Sequence, residues 1–194
     1  MRYRSSEGEL IPIIVIVILN FLVYLAINVG HFMEIDIIPF LGLSRITFLD
    51  EPWTILTCMF THQGFFHLLA NMLTLYFFGS FLTRITGLTN FLLIYFIGGI
   101  VSGLFVLGLS PANSITIGAS GAVFALGGAL AVLTPREKVF VFPIPAPMPL
   151  WVAVIIGFLV LTLVPGVSWQ GHLGGLLSGL LAGLILRRRL RLVL

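Results

Sequence analysis

Six long apolar runs constrain this chain more than any other feature. Residues 10–29, 66–82, 91–109, 119–133, 150–164 and 171–186 contain no Asp, Glu, Lys or Arg. A helix needs about 20 mainly apolar residues to cross a bilayer, so these runs read as spans, the fourth of them short. They are continuous rather than alternating, which excludes a β-barrel. Only 9% of residues are charged, against roughly 25% in a soluble domain. The expected fold is an all-α membrane protein, a bundle of six transmembrane helices forming one domain over 1–194. Residues 1–9 are polar and are followed by a run long enough to span, so no cleavable leader is expected. The single cysteine, Cys58, excludes an internal disulfide and reads as an inert buried thiol.

The breaks between runs set the organisation. Asn20 and Asn28 are polar positions in the first run and are expected to bond to neighbouring helices. Residues 30–52 are apolar but carry Glu34, Asp36, Arg45, Asp50 and Glu51, with Pro39 and Gly42 interrupting them. They read as short amphipathic pieces lying in the interface. Gly87 marks a turn, and Pro135 ends the fourth run. Pro143, Pro145, Pro147 and Pro149 favour an extended, stiff connection. Pro165 and Gly166 form a turn, and the sixth run stops at Arg187-Arg188-Arg189, inside a basic end at 187–194.

Basic residues set the orientation. Six spans put both termini on one side, together with Arg2, Arg4, Arg84, Arg136, Lys138, Arg187, Arg188, Arg189 and Arg191. Arg45 alone lies opposite. The basic side is expected to be cytoplasmic. The formal charge of +3 is accounted for by topology, and no nucleic-acid partner is expected.

Orientation has a chemical consequence. Spans two, four and six all begin on the outer side, so His67, Asn71, Ser120 and His172 fall at similar depth despite their separation in sequence. At about 100° per residue, His172, Gly175, Gly179 and Gly183 share a face, as do Ser120, Phe124, Gly127 and Ala131. If these two stripes of mostly small residues face each other, Ser120 and His172 come within hydrogen-bond range. A serine needs an adjacent general base to attack a carbonyl, and histidine is the usual one. Spans two to six hold no internal acid, so the pair is a dyad. Phe124, one turn below Ser120, is placed to pack on the imidazole. His67 and Asn71 are four apart on one face, and with the Ser120 N–H they supply donors for an oxyanion. The glycines near Ser120, Gly118 and Gly121, leave room for a substrate backbone.

Other readings exist for each residue. A serine among glycines in a membrane helix is commonly a packing residue, a lone histidine a bonded core residue, and an asparagine helix glue. His62 and His67 are five apart, about 140° around a helix, and Leu68 stands where a His-Glu-x-x-His pattern needs glutamate. Metal chemistry is not expected, and neither is a cofactor. A transporter would call for ionisable residues near the midplane, and the runs offer none.

The pieces His62-x4-His67-x3-Asn71-Met72, Gly118-Ala119-Ser120-Gly121 and Gly171-His172-x2-Gly175-x3-Gly179, in that order on spans two, four and six, resemble the rhomboid intramembrane serine proteases. The resemblance covers nearly the whole chain after the first polar residues. It implies a six-helix rhomboid-like bundle with an outer amphipathic loop between helices one and two. It also implies Ser120 as nucleophile, His172 as general base, His67 and Asn71 lining the oxyanion hole, and His62 as a structural residue hydrogen-bonded within the outer loop. The implied partners are single-span membrane proteins, cut in or near the bilayer, and membrane lipid. The implied compartment is a prokaryotic cell membrane, and span five matches the helix discussed as a lateral gate. Two positions depart from the family: Trp53-Thr54 replaces a common Trp-Arg, and Thr83 stands where an acid is common. The alternative is a non-proteolytic rhomboid-like protein that binds transmembrane helices, though such relatives typically lose the serine or the histidine.

Overall fold

A computed structural model describes residues 7–141 and 146–193. Arg2, Arg4, Pro143 and Pro145 lie outside the described residues, as does the side chain of Arg191. The described residues form a bundle of six long helices with two very short ones between the first and second of these.

Helix α1 (Ile11–Phe32) opens with Pro12, where a missing N–H costs nothing. The amides of Asn20 and Asn28 donate to Ile16 O (2.8 Å) and Tyr24 O (2.7 Å) within α1. Those donors therefore satisfy their own helix instead of bridging to a neighbour, although buried Asn20 also lies beside Tyr95. The connection that follows holds α2 (Ile38–Leu41), β1 (Leu43–Ser44), α3 (Thr54–Thr57) and a 3-10 turn at Cys58–Phe60. Two strand residues carry no readable periodicity, and β1 pairs antiparallel with β2 (Ile115–Thr116), far away in sequence.

Helices α4 (Phe65–Thr86) and α5 (Leu88–Leu109) are joined by Gly87 alone, whose φ of +89° makes the one-residue turn possible. Both extend past the apolar runs. Asn90 carries the start of α5 through a polar stretch by donating to Thr86 O at 2.7 Å. Helix α6 (Ser120–Leu133) has only 14 residues. Beyond it, β3 (Lys138–Val139) pairs antiparallel with β4 (Met148–Pro149). The described ends of the proline-rich connection thus form a hairpin stem instead of a stiff extended rod. Helix α7 (Leu150–Thr162) leads through Gly166 (φ +79°) into α8 (Trp169–Val193). Helix α8 does not stop at Arg187–Arg189 but runs through them. Arginine ends an apolar stretch without ending a helix, because its propensity is high and its stem can reach toward water.

Among the described residues four helices, α1, α4, α5 and α8, are long and apolar enough to cross a membrane; α6 and α7 are shorter apolar helices. The most extensive helix contact is between α6 and α8, and α5 packs on both. Along the α6–α8 seam the glycines of α8 bed directly on backbone, Gly175 against Gly121, Gly179 against Ala125 and Gly183 against Ala129. Both helices advance by four residues in the same direction, so they are parallel. Any side chain here would collide with a peptide group, which no rotamer change relieves.

The α6 face in this seam is Gly121, Ala125, Gly128 and Ala129, not the predicted Ser120, Phe124, Gly127 and Ala131. Gly127 instead faces Phe78 of α4 and Val154 of α7. The predicted face is rotated by one residue, about 100°. The seam takes the positions where backbone meets backbone, and side chains long enough to reach across, Ser120 and Phe124, flank it.

Candidate active site

The site is built on the N-terminus of α6. Two consecutive amides leading into the helix are tied to the segment before α4: Gly118 N–H donates to Cys58 O at 2.8 Å, and Ala119 N–H donates to His62 Nε2 at 3.2 Å. Gly118 has φ +119°, a conformation that strains any residue with a Cβ. A Cβ there would lie 2.9 Å from both Cε1 and Nε2 of His67 and 3.8 Å from Ser120 Oγ. The imidazole of His67 and the hydroxyl of Ser120 therefore flank one small space that glycine leaves open. Ser120 N–H follows as the first amide without an intrahelical acceptor.

His172 lies in the first turn of α8, with its N–H on Ser168 O at 3.2 Å. Ser168 Oγ also accepts from Gly171 N–H at 3.4 Å, which caps the helix start. The imidazole is only 4% exposed, and its Nε2 is 2.8 Å from Ser120 Oγ. The Phe124 ring lies 4.6 Å from the imidazole at 38°, and Phe158 of α7 meets Phe124 edge-on at 6.0 Å. His172 Nδ1 is buried with no hydrogen-bond partner among the described residues.

Asn71 is buried on the second turn of α4, and its Nδ2 donates to His67 O at 2.9 Å. An amide NH2 has two hydrogens, so one donor remains after this bond. His62 is fully buried before α4 begins, with its ring 4.9 Å from that of His67. Burial pushes its pKa down to about 3, and neighbouring His67 acts in the same direction. It therefore stays neutral and keeps Nε2 free to accept from Ala119. Burial also pushes the Cys58 thiol up to about 12, so it holds its proton and is no nucleophile.

Each of the two departures noted above puts a threonine in the fold, Thr54 and Thr83. Trp53 Nε1 donates to Phe40 O at 3.0 Å, and buried Thr54 donates to Glu51 O at 2.6 Å, so both side chains tie down the loop. Thr83 is buried near the far end of α4.

Three contributors carry no sequence signal of their own. Ser102 of α5 lies directly behind Gly121, Cys58 acts through its carbonyl, and Phe158 acts through Phe124. A backbone acceptor is invisible in sequence. Ser168, a cap residue just ahead of a helix, was findable by the ordinary capping rule.

The fold and these residues define a polytopic helical membrane protein with a part-buried Ser–His pair, its serine at a helix N-terminus. The family model described as Rhomboid domain matches residues 49–189. The chain is 36% identical over 139 residues to RHOMBOID-like protein 1 of Arabidopsis thaliana, covering 71% of this chain and 35% of that protein. It is 35% identical over 111 residues to Rhomboid protein 1, mitochondrial, of Saccharomyces cerevisiae, covering 55% and 32%. Rhomboid protease GluP of Bacillus subtilis is 35% identical over 129 residues, covering 66% and 25%. The chain belongs to the rhomboid family. Its matches span about a third or less of these relatives' own length.

Proposed function

We propose that this rhomboid protein is an intramembrane serine endopeptidase. The observation that carries the reading is the 2.8 Å approach of Ser120 Oγ to His172 Nε2, with Phe124 against the imidazole. Ser120 Oγ attacks the scissile carbonyl while its proton passes to neutral His172 Nε2, and the imidazolium then protonates the leaving amine. A water deprotonated by His172 hydrolyses the acyl-enzyme. The developing oxyanion takes Ser120 N–H, the His67 ring and the remaining hydrogen of Asn71. His62 acts indirectly, by holding the Ala119 amide.

Six spans in a single domain over 1–194, with both ends cytoplasmic, match the distribution of basic residues. A 14-residue α6 is about 21 Å long, against a hydrocarbon core of about 30 Å. With its C-terminal end at the inner face, Ser120 sits below the outer surface. Substrates would then be single-span membrane proteins whose chain unwinds near the outer side, in a prokaryotic cell membrane.

The test is labelling by a serine-reactive phosphonate, together with cleavage of a reporter transmembrane segment in proteoliposomes. Labelling that needs both Ser120 and His172 is the expected result. Cleavage by Ser120→Ala at the wild-type rate would sink the reading and leave a rhomboid-like protein that binds membrane helices.

A further inference from the structure

The parallel register of α6 and α8 has an effect at the end opposite Ser120. Since Gly175, Gly179 and Gly183 step along Gly121, Ala125 and Ala129, the next step of four on each helix brings Arg187 level with Leu133. Arg188 and Arg189 follow on α8, and Arg136 and Lys138 follow just past the end of α6. Five cationic residues from two segments far apart in sequence thus lie at one end of the seam. All five are exposed, and none has an ion-pair partner among the described residues. Glu137 is the one acid in either run. Below them both helices are apolar, so this cluster stands where hydrocarbon gives way to headgroups.

We propose that the inner end of the α6–α8 seam is a binding site for the phosphate of an anionic phospholipid, formed jointly by Arg136, Lys138 and Arg187, which continues the seam face of α8, while Arg188 and Arg189, about 100° and 200° further round the helix, add positive charge at the rim. Guanidinium groups match phosphate in a bidentate fashion. The acyl chains lie along the apolar helix faces below while the phosphate is held at the rim. A soluble acidic protein offers the charge without that second contact, and free phosphate lacks it too. A headgroup held between the two segments also ties together the inner ends of the helices that carry Ser120 and His172. Each basic residue near such a surface contributes roughly a fivefold gain in binding.

The experiment measures lipid retained by the full chain, purified in neutral detergent, using native mass spectrometry. Dioctanoyl phosphatidylglycerol is compared with dioctanoyl phosphatidylcholine, and inorganic phosphate is added as competitor. Wild type is expected to retain the anionic lipid with more than tenfold preference. The triple variant Arg187→Gln, Arg188→Gln, Arg189→Gln and the double variant Arg136→Gln, Lys138→Gln should each lose at least tenfold of that preference, with phosphatidylcholine unchanged. Arg45→Gln, at the other end, should change nothing. Equal retention of both lipids by wild type would overturn the proposal. So would a double variant that keeps full preference, because the site would then not be joint, or complete displacement by millimolar phosphate, because it would then be a free-anion site. If the triple variant fails to fold, the double variant decides the matter.

Discussion

Helices α7 and α8 are both apolar and both adjoin α6, yet they are held to it by different means. Helix α8 beds glycine onto backbone over three turns, and every glycine in its seam is in contact. Helix α7 buries only Leu150, Ala153 and Val154 near its start, and its own Gly157 faces open space. Hydropathy cannot separate the two; the spacing of small residues can. The Ser120–His172 pair depends on the tight seam, whereas α7 reaches the site through one ring contact, Phe158 on Phe124.

The strongest way to break this contrast is at the pair itself. Ser120→Ala and His172→Ala are each expected to lower cleavage at least about 10³-fold while leaving thermal unfolding close to wild type, as measured by reporter cleavage and a melting curve. Next comes the seam. Gly179→Val should cost about 3 kcal/mol or more, since the added carbons meet the Ala125 peptide, and should take activity with it. Leu159→Ala on the exposed face of α7 should shift stability by no more than about 0.5 kcal/mol. A melting curve in which the two variants behave alike would dissolve the distinction between the helices.

Gly118→Ala puts a Cβ into the His67 ring at a φ of +119°. The expected cost is about 1–3 kcal/mol of strain and a roughly hundredfold loss of turnover. An active Gly118→Ala enzyme would show that the space between His67 and Ser120 is not used.

His62 makes one contribution to the acid response. Its folded pKa is about 3, against 6.5 in the unfolded chain. Between these values the unfolded chain holds a proton that the folded chain lacks. Its share of stability is complete above about pH 6.5 and is lost as pH falls toward 3, at up to about 1.4 kcal/mol per unit. In His62→Gln, which keeps an acceptor for Ala119, stability should fall with acid by about one proton less steeply. A slope equal to wild type would remove His62 from the acid response. The smallest effect on turnover is expected at Phe158→Ala, a few-fold loss through the Phe124 contact, worth about 0.5–1.5 kcal/mol.

Much of this architecture was legible in sequence because membrane helices announce themselves by uncharged length. The motif residues His67, Asn71, Ser120 and His172 could be brought to one end from charge placement alone, and Phe124 against His172 followed from helix periodicity. The α6 face could not be read correctly, because Gly121 and Ser120 are both small and only contact with α8 distinguishes them. The pairing of Leu43–Ser44 with Ile115–Thr116 had no local signature at all. The positive φ of Gly118 and the carbonyl of Cys58 depend on where a distant segment lies. The hairpin stem at Lys138–Val139 was hidden by prolines, whose local preference for extension says nothing about what pairs at the ends.

The parallel course of α6 and α8 carries one more consequence. Two parallel neighbours cannot be connected by a turn, since the chain leaves one end and must re-enter at the other. Something has to make the return journey, and here it is α7. Connectivity asks of such a helix only that it cover the distance, not that it pack closely: α5 makes the matching return between α4 and α6 and is tightly packed, whereas α7 is left as a loosely fastened wall beside the α6–α8 seam.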